Sequence, residues 1–337
     1  MSIDVKNNNA SLSWMEIVSK YNFSNPVKSW WQVINSVIPY LLLWTVMVWS
    51  LSISYWITLI LSFIAAGFLI RIFIIFHDCG HGSFFKSKLL NRIVGIIAGI
   101  IAFTPYHKWH HDHKEHHATV GNLDKRGTGD VKTLTVEEFL KLSKWNRFKY
   151  HFYRHPIFLF GIAPFLVFVF ENRLPKKYMN RKEHIYLQLT NLGLLAAIIL
   201  SMWLVGWEAF LLIQIPILYI ASVHGVWLFY VQHQYEQVVW TRGNEWNYKN
   251  IALEGSSFLK LPLILQWFTG NIGFHHIHHL SPRIPNYKLP QCYKENAIFQ
   301  DIQPITFFTS LRSLKLRLWD ENKKKIVGFK ALNYKPN

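Results

Sequence analysis

Seventeen histidines occur in the chain, and twelve of them fall in three short windows. These are His77-Asp-Cys-Gly-His81, His107-Lys-Trp-His110-His111-Asp-His113-Lys-Glu-His116-His117, and His275-His276-Ile-His278-His279. On a helix, residues three and four apart share a face. His77 and His81 have that spacing, as do His113, His116 and His117, and again His275, His278 and His279. Neutral imidazole is a ligand for iron, zinc, copper and nickel. A first-row ion takes roughly four to six ligands, so eight imidazoles point to two ions. His107, His110 and His111 also spell H-x-x-H-H, which leaves two overlapping triplets open in the second window. His276 lies off the face shared by its neighbours. A ninth ligand is expected from His233 in Phe229-Tyr-Val-Gln-His233. His224 reads as a structural hydrogen-bonding residue, and His151, His155 and His184 as surface residues. Isolated histidines in a headgroup zone would need no metal; three clusters at ligand spacing argue against that bland origin.

Neutral ligands leave metal charge uncompensated, so carboxylates that hydrogen-bond the outer ring N–H groups are expected nearby. Asp78, Asp112, Glu115, Glu236 and Glu254 are placed for this, and Asn271 is placed to orient a ligand or a water.

The elements that must position these residues are membrane spans. Half of the residues are hydrophobic and only 16% are charged, against about 25% charged in a soluble domain. From Ser29 to Ile70 no residue is charged, and a helical crossing needs roughly 20 apolar residues. A hairpin at about 34–53 and 55–76, turning near Ser52–Trp56, accounts for this run. From Glu183 to Thr241 there is no Lys or Arg. A second hairpin fits at about 185–205 and 208–231, turning at Val205-Gly206-Trp207. The basic residues flank the hairpins, and positive loops stay cytoplasmic. Both termini and all three windows are therefore expected on the cytoplasmic side. The shorter apolar runs Leu89–Phe103 and Ile157–Phe170 read as interfacial or half-inserted helices; six full spans is the alternative. Thr135-Val-Glu-Glu138 has the form of a capping box. It would open a basic amphipathic helix carrying Phe139, Leu142, Trp145, Phe148 and Phe152. Trp203, Trp207 and Trp227 read as interface anchors or packing.

The fold expected is an all-α integral membrane protein: four transmembrane helices in two hairpins, interfacial helices, and a cytoplasmic helical cap holding a di-metal site. Residues 1–28 are expected as a cytoplasmic N-terminal tail, 29–300 as the membrane domain, and 301–337 as a cytoplasmic C-terminal tail. The formal net charge is +17, which in so apolar a chain reads as contact with anionic headgroups rather than nucleic acid. It would also attract an acidic redox partner. Two cysteines, Cys79 and Cys292, rule out a disulfide framework. The polar N-terminus shows no cleavable signal pattern.

The order and spacing of the boxes, with two hairpins between them, resemble the membrane fatty acid desaturases. The resemblance runs from about residue 70 to 290. It rests on His77-Asp-Cys-Gly-His81-Gly-Ser-Phe-Phe, on His116-His117-Ala-Thr and the run Asp124-Lys-Arg-Gly-Thr-Gly-Asp130, on Phe229-Tyr-Val-Gln-His233, and on Gly270-Asn-Ile-Gly-Phe-His-His-Ile-His-His-Leu-Ser-Pro. The chain is most similar to bacterial acyl-lipid desaturases of the Δ5 and Δ12 (omega-6) type. The resemblance selects His113, His116 and His117 in the second window. It implies two non-haem iron ions, O2 as co-substrate, a long-chain acyl lipid or acyl thioester as substrate, and a cis double bond as product. No fused cytochrome b5 is seen, so electrons would come from a separate carrier: ferredoxin, flavodoxin or cytochrome b5.

The chemistry agrees. An unactivated methylene offers neither an acidic proton nor a leaving group, so nucleophilic or acid–base catalysis has nothing to act on. No G-x-S-x-G or phosphate-binding G-x-x-x-x-G-K-[ST] is present. A hydroxylase or ketolase of the same superfamily is the nearest rival. A metal transporter is the rival of another class, but it should carry ionisable ligands at mid-membrane, and the first hairpin has none.

Overall fold

The computed structural model describes residues 13–126 and 129–332. A short helix, α1 (Trp14–Ser19), is opened by a capping box of Ser13 and Glu16. The first hairpin follows as α2 (Pro26–Leu51) and α3 (Tyr55–Gly80). Helix α2 begins earlier than its hydrophobicity predicts. Asn25 caps it by accepting from the Lys28 N–H, and Pro26, whose ring presets the helical φ, sits in the first turn. Helix α3 runs on past its apolar stretch to Gly80, so His77 lies in its last turn and His81 caps it.

Between the hairpins, α4 (Lys88–Ile101) and α5 (Tyr106–Thr119) are broken by a bend of 101°. Phe103 takes a left-handed φ of 54° at this break, and Pro105 follows it. Next come α6 (Val136–Lys141), α7 (Lys144–Tyr153), and a π-helical turn at Ile157–Ile162 that leads into α8 (Ala163–Val169). Here the bend is 50°. Neither of the two shorter apolar runs forms a straight helix of spanning length. The capping box of Thr135 and Glu138 forms reciprocally. The amphipathic helix it opens is two helices rather than one. Leu142 turns extended, and Ser143 starts afresh by accepting from the Asn146 N–H.

The second hairpin is α9 (Arg181–Val205) and α10 (Trp207–His233). Its turn is Gly206 at φ 86°, a conformation that costs a side-chain-bearing residue but not glycine. The remaining helices include α11 (Tyr248–Glu254), α12 (Leu263–Phe268), α13 (His275–Leu280) and α14 (Leu289–Glu295). The four long helices are apolar and long enough to cross a membrane, and their outer faces expose Trp49, Phe63, Trp203, Leu204 and Trp207. Helix α3 is the centre, packed by α2, α10 and α4 around Met47, Leu69, Ile72, Phe76, Ile213 and Ile217.

Two small sheets supplement this helical body. Strands β1 (Leu134–Thr135), β4 (Leu318–Asp320) and β5 (Lys325–Val327) form one; β2 (Leu259–Lys260) and β3 (Ile305–Thr306) pair in parallel as the other. Through them the C-terminal segment, expected as a peripheral tail, is part of the packed body. Trp319 is buried and stacked on Trp240. The fully buried Arg154 donates to the Leu316 carbonyl, the Tyr230 hydroxyl and Gln234. At the other end, Val18 and Tyr21 are buried with Phe274, Ile277 and Leu280, and the Tyr21 hydroxyl donates to Glu295. Cys79 and Cys292 are both free and buried.

Helix α4 reaches α3 and α5 only because Gly95 lacks a side chain. A Cβ there would lie 2.3 Å from the Tyr106 ring and 3.1 Å from the Cys79 Cβ. Gly95→Ala is therefore expected to destabilise the fold by about 1–3 kcal/mol, the usual cost of overpacking a filled core. Thermal unfolding of the purified protein in detergent measures this; an unchanged midpoint would mean that Tyr106 yields freely.

Candidate metal centre

Four helix ends deliver nine imidazoles to one region. Helix α3 brings His77 and His81 with its last turn and cap, α5 brings His113, His116 and His117, α10 ends on His233, and α13 supplies His275, His278 and His279. The nine form two groups. His77, His81, His113, His117 and His278 make one; His116, His233, His275 and His279 make the other. Within each group the ligand-capable nitrogens all lie within 4.8 Å of one another. Both triplets are split between the groups. His113 and His117 turn one way and His116 the other; His275 and His279 turn one way and His278 the other. The i, i+4 pair serves one group, and the remaining residue, rotated round the helix, serves its neighbour.

Adjacent Nε2 atoms stand 3.1 Å apart for His77–His113, His113–His117, His117–His278 and His116–His233, 3.0 Å for His275–His279 and 2.9 Å for His233–His275. The outer nitrogens fix what these contacts are. His77 Nδ1 faces Asp78 Oδ1 at 3.1 Å, His116 Nδ1 faces Asp130 Oδ1 at 2.5 Å, and His233 Nδ1 faces the Gly255 carbonyl at 3.2 Å. Each of these partners accepts, so each Nδ1 carries the proton, which leaves the Nε2 as the atom available to bind an ion. With both rings in this tautomer, the Nε2 lone pairs of His116 and His233 would face each other at 3.1 Å. A cation resolves that repulsion. Two nitrogens bound to one ion at about 2.1 Å and at right angles would be about 3.0 Å apart, which is the spacing found. Burial, reinforced by neighbouring imidazoles, holds His113, His117, His275, His278 and His279 well below the ordinary histidine range, so these rings are neutral donors at neutral pH. Half-buried His81 has a buried Nε2 with no hydrogen-bond partner, free for an ion. The donor set fits two metal ions of the imidazole-preferring class.

Asp78 is buried and doubly anchored: its Oδ2 accepts from both the backbone N–H (2.7 Å) and the side-chain amide (2.8 Å) of Asn286. Asn271 does not face the histidines. It adopts a left-handed φ of 59°, which asparagine tolerates, and donates to the Asn286 carbonyl at 3.2 Å. It therefore acts on His77 at two removes. The other carboxylates singled out by position lie elsewhere. Asp112 accepts from the Tyr178 hydroxyl, while Glu236 and Glu254 are exposed and Glu115 meets its surroundings through its backbone carbonyl. The carboxylate that position alone missed is Asp130. It sits 14 residues beyond its histidine, at the end of the Asp124–Asp130 run.

Five histidines outside the nine have other partners. His107 stacks on Tyr186 and His111 on Tyr178, each at 4.1 Å, and His110 lies over Tyr106. The second of the overlapping triplets thus faces an aromatic layer. His276 is packed among Phe258, Tyr293 and Phe299, where burial pushes it down to about 3. His224 bonds the Ile220 carbonyl of its own helix.

A cavity of about 500 Å³ opens on both groups, touching His77, His113, His116 and His275. It continues between α3, α8 and α10 along Leu69, Phe73, Ile74, Phe168, Leu218 and Ile272. Lys108, Asn172 and Lys176 stand at its polar part. A long apolar molecule lying here would pass directly over the histidines.

Residues 53–307 match the sequence model of the family described as Fatty acid desaturase. The chain is 48% identical over 305 residues to a protein named "Fatty acid desaturase" from Bacillus subtilis, covering 90% of this chain and 87% of that one. It is 31% identical over 231 residues to an "sn-1 acyl-lipid omega-3 desaturase (ferredoxin)" from Synechocystis, covering 65% of this chain and 61% of the relative. A chloroplastic "Omega-6 fatty acid desaturase" from Spinacia oleracea is 25% identical over 282 residues, covering 79% and 58%.

Removing a carboxylate that holds a metal-bound imidazole typically costs 10–100-fold in metal affinity. Asp130→Asn and Asp78→Asn are each expected to weaken metal retention by about that factor, whereas Asp112→Asn leaves it unchanged. Metal per chain after dialysis against a graded chelator series reads this out. Equal retention in all three variants would dissociate the carboxylates from the site.

Proposed function

Because the chain belongs to the fatty acid desaturase family, whose members are oxidoreductases, we propose that it uses O2 and two external electrons to place a cis double bond in a long-chain acyl group. The observation that carries this reading is the pair of imidazole groups, buttressed by Asp78 and Asp130, lying open to an apolar cavity. His77, His81, His113, His117 and His278 would hold one non-haem iron, and His116, His233, His275 and His279 the second. Bound there, the iron pair supplies the oxidising power toward a methylene that no side chain of this protein possesses.

The residues do the rest. Asp78, Asp130 and the Gly255 carbonyl hold the outer ring protons of His77, His116 and His233, keeping the inward nitrogens free to bind. Phe73, Phe168 and Leu218 line the cavity and hold an acyl chain in a dry environment beside the imidazoles. In water, burying such a chain would contribute about 0.8 kcal/mol per methylene. A chain that leaves a bilayer gains little of this, so cavity shape and contacts to the polar end set selectivity.

The substrate is read as an acyl lipid or acyl thioester, in line with the name of the Synechocystis relative. That name also supports a separate ferredoxin-like electron carrier, and the excess of basic residues suits an acidic one. The positive flanks support a reading in which both termini and the histidine region lie on the cytoplasmic side of a bacterial cytoplasmic membrane.

Gas chromatography–mass spectrometry of the fatty acids of a host expressing the gene should reveal a new double bond; a product with an added oxygen would instead make the protein a hydroxylase. His81→Ala, His116→Ala and His278→Ala should each abolish the product while the protein remains membrane-inserted. Full activity in one of them would remove that residue from the site. Iron close to two per chain is expected by elemental analysis, and one zinc per chain would refute the assignment.

A further inference from the structure

On the hydropathy pattern, everything beyond the fourth span lies outside the bilayer. The packing of α12 contradicts this. Phe268 lies against Gly67 of α3, where a Cβ would come within 2.8 Å of its ring, and meets Phe68 edge-on at 5.2 Å. The Trp267 carbonyl accepts from the Arg71 guanidinium, which also lies 3.9 Å from the centre of the Trp267 ring. Gly67 and Arg71 stand nine to thirteen residues before the end of α3 at Gly80. At about 1.5 Å per residue, that is about 14–20 Å below its histidine-bearing end. A hydrocarbon layer about 30 Å thick takes up about 20 helical residues. Counted from the start of α3 at Tyr55, it extends to about residue 75 and encloses both.

Arg71 is the one charged residue between Tyr55 and Phe76. A cation at that depth needs a partner inside the protein, and α12 supplies it with a carbonyl and an indole face. The opposite side of α12 has no cover: Leu263 is 84% and Ile264 67% exposed. The parallel pairing of Lys260 with Thr306 sends a second apolar strip alongside, where Phe308 is 79% exposed and Phe307 and Leu311 are also exposed. Exposed Lys260, Arg312 and Lys315 flank the patch.

We propose that α12 and residues 307–311 form a wedge inserted into the leaflet on the histidine side. Its occupant is the acyl region of bilayer lipid, and Lys260, Arg312 and Lys315 meet the headgroup phosphates. The patch is continuous with the lipid-facing surface of α3, and its cationic rim complements an anionic lipid surface. The turn at Gly270-Asn271 joins the wedge directly to the third histidine box. Lipid contact on α12 therefore sets the height of His275, His278 and His279 relative to the membrane. None of this depends on the reaction proposed above.

The test places single cysteines at Ile264, Phe308 and, as a water-exposed control, Asn322 in the β4–β5 turn. Each full-length variant is labelled with a small thiol-reactive fluorophore and reconstituted in nanodiscs of phosphatidylcholine and phosphatidylglycerol. Buried Cys79 and Cys292 serve as the labelling blank in the unsubstituted protein. Emission from positions 264 and 308 should lose most of its intensity when the lipids carry a nitroxide near the headgroup end of the acyl chain, and little on adding iodide; position 322 should behave in the opposite way. Iodide quenching at 264 and 308 would place the patch in water. Shielding from both quenchers would place it under protein. Either result overturns the proposal.

Discussion

Lone pairs pointed at lone pairs are the constraint on which this structure turns. Nine imidazoles converge in two groups with neighbouring nitrogens about 3 Å apart, and in neutral rings with outward protons that arrangement repels itself. Burial makes the conflict sharper, because protonating the rings to relieve it would place several positive charges in one dry region. Two groups of this kind could each hold a cation. Asp78 and Asp130 offset part of their charge and prevent His77 and His116 from turning their lone pairs outward.

The membrane helices make such a site affordable. Imidazoles borne on loops would swing away from one another; here they sit on the last turns of α3 and α10 and on the short α5 and α13, whose backbones are held by tertiary packing. Asn286 fastens Asp78, and Asn271 fastens Asn286. Arg154 ties the Tyr230–Gln234 end of α10 to the Lys132–Thr133 segment that follows Asp130. Hydrogen bonds of this kind in a low-dielectric interior are strong when complete, which suits supports that must resist a repulsive centre.

The same scaffold brings apolar space to the histidines. Between helices α3, α8 and α10 lies a cavity, largely apolar along Leu69, Phe73, Phe168 and Leu218, that touches both imidazole groups. The bend between α4 and α5 turns the second box back toward the first, and the wedge formed by α12 relates the third box to the bilayer.

Short-range periodicity explains what could be read without coordinates. The i, i+4 pairs His77/His81, His113/His117 and His275/His279 each share a face and each land in one group, because helix geometry alone decides that. The two hairpins follow from charge-free length, and Gly206 from the need for a turn with positive φ. His233 was legible from its place at the end of the fourth span. Contacts between distant segments have no such local signature. Nothing near Asp130 in the chain announces that it meets His116, and nothing in the third box shows that His278 crosses to the group of His77 while its neighbours stay with His233. The same holds for the break at Ser143, which a continuous amphipathic pattern conceals, and for the packing of the 305–327 segment against α10. The sequence by itself determined the residue type, its spacing and the two long hairpins, since each is a property of a few consecutive residues. Which imidazoles group together, which carboxylates hold them, and what shape of cavity they face were decided only by tertiary packing, because those depend on where separate helix ends meet.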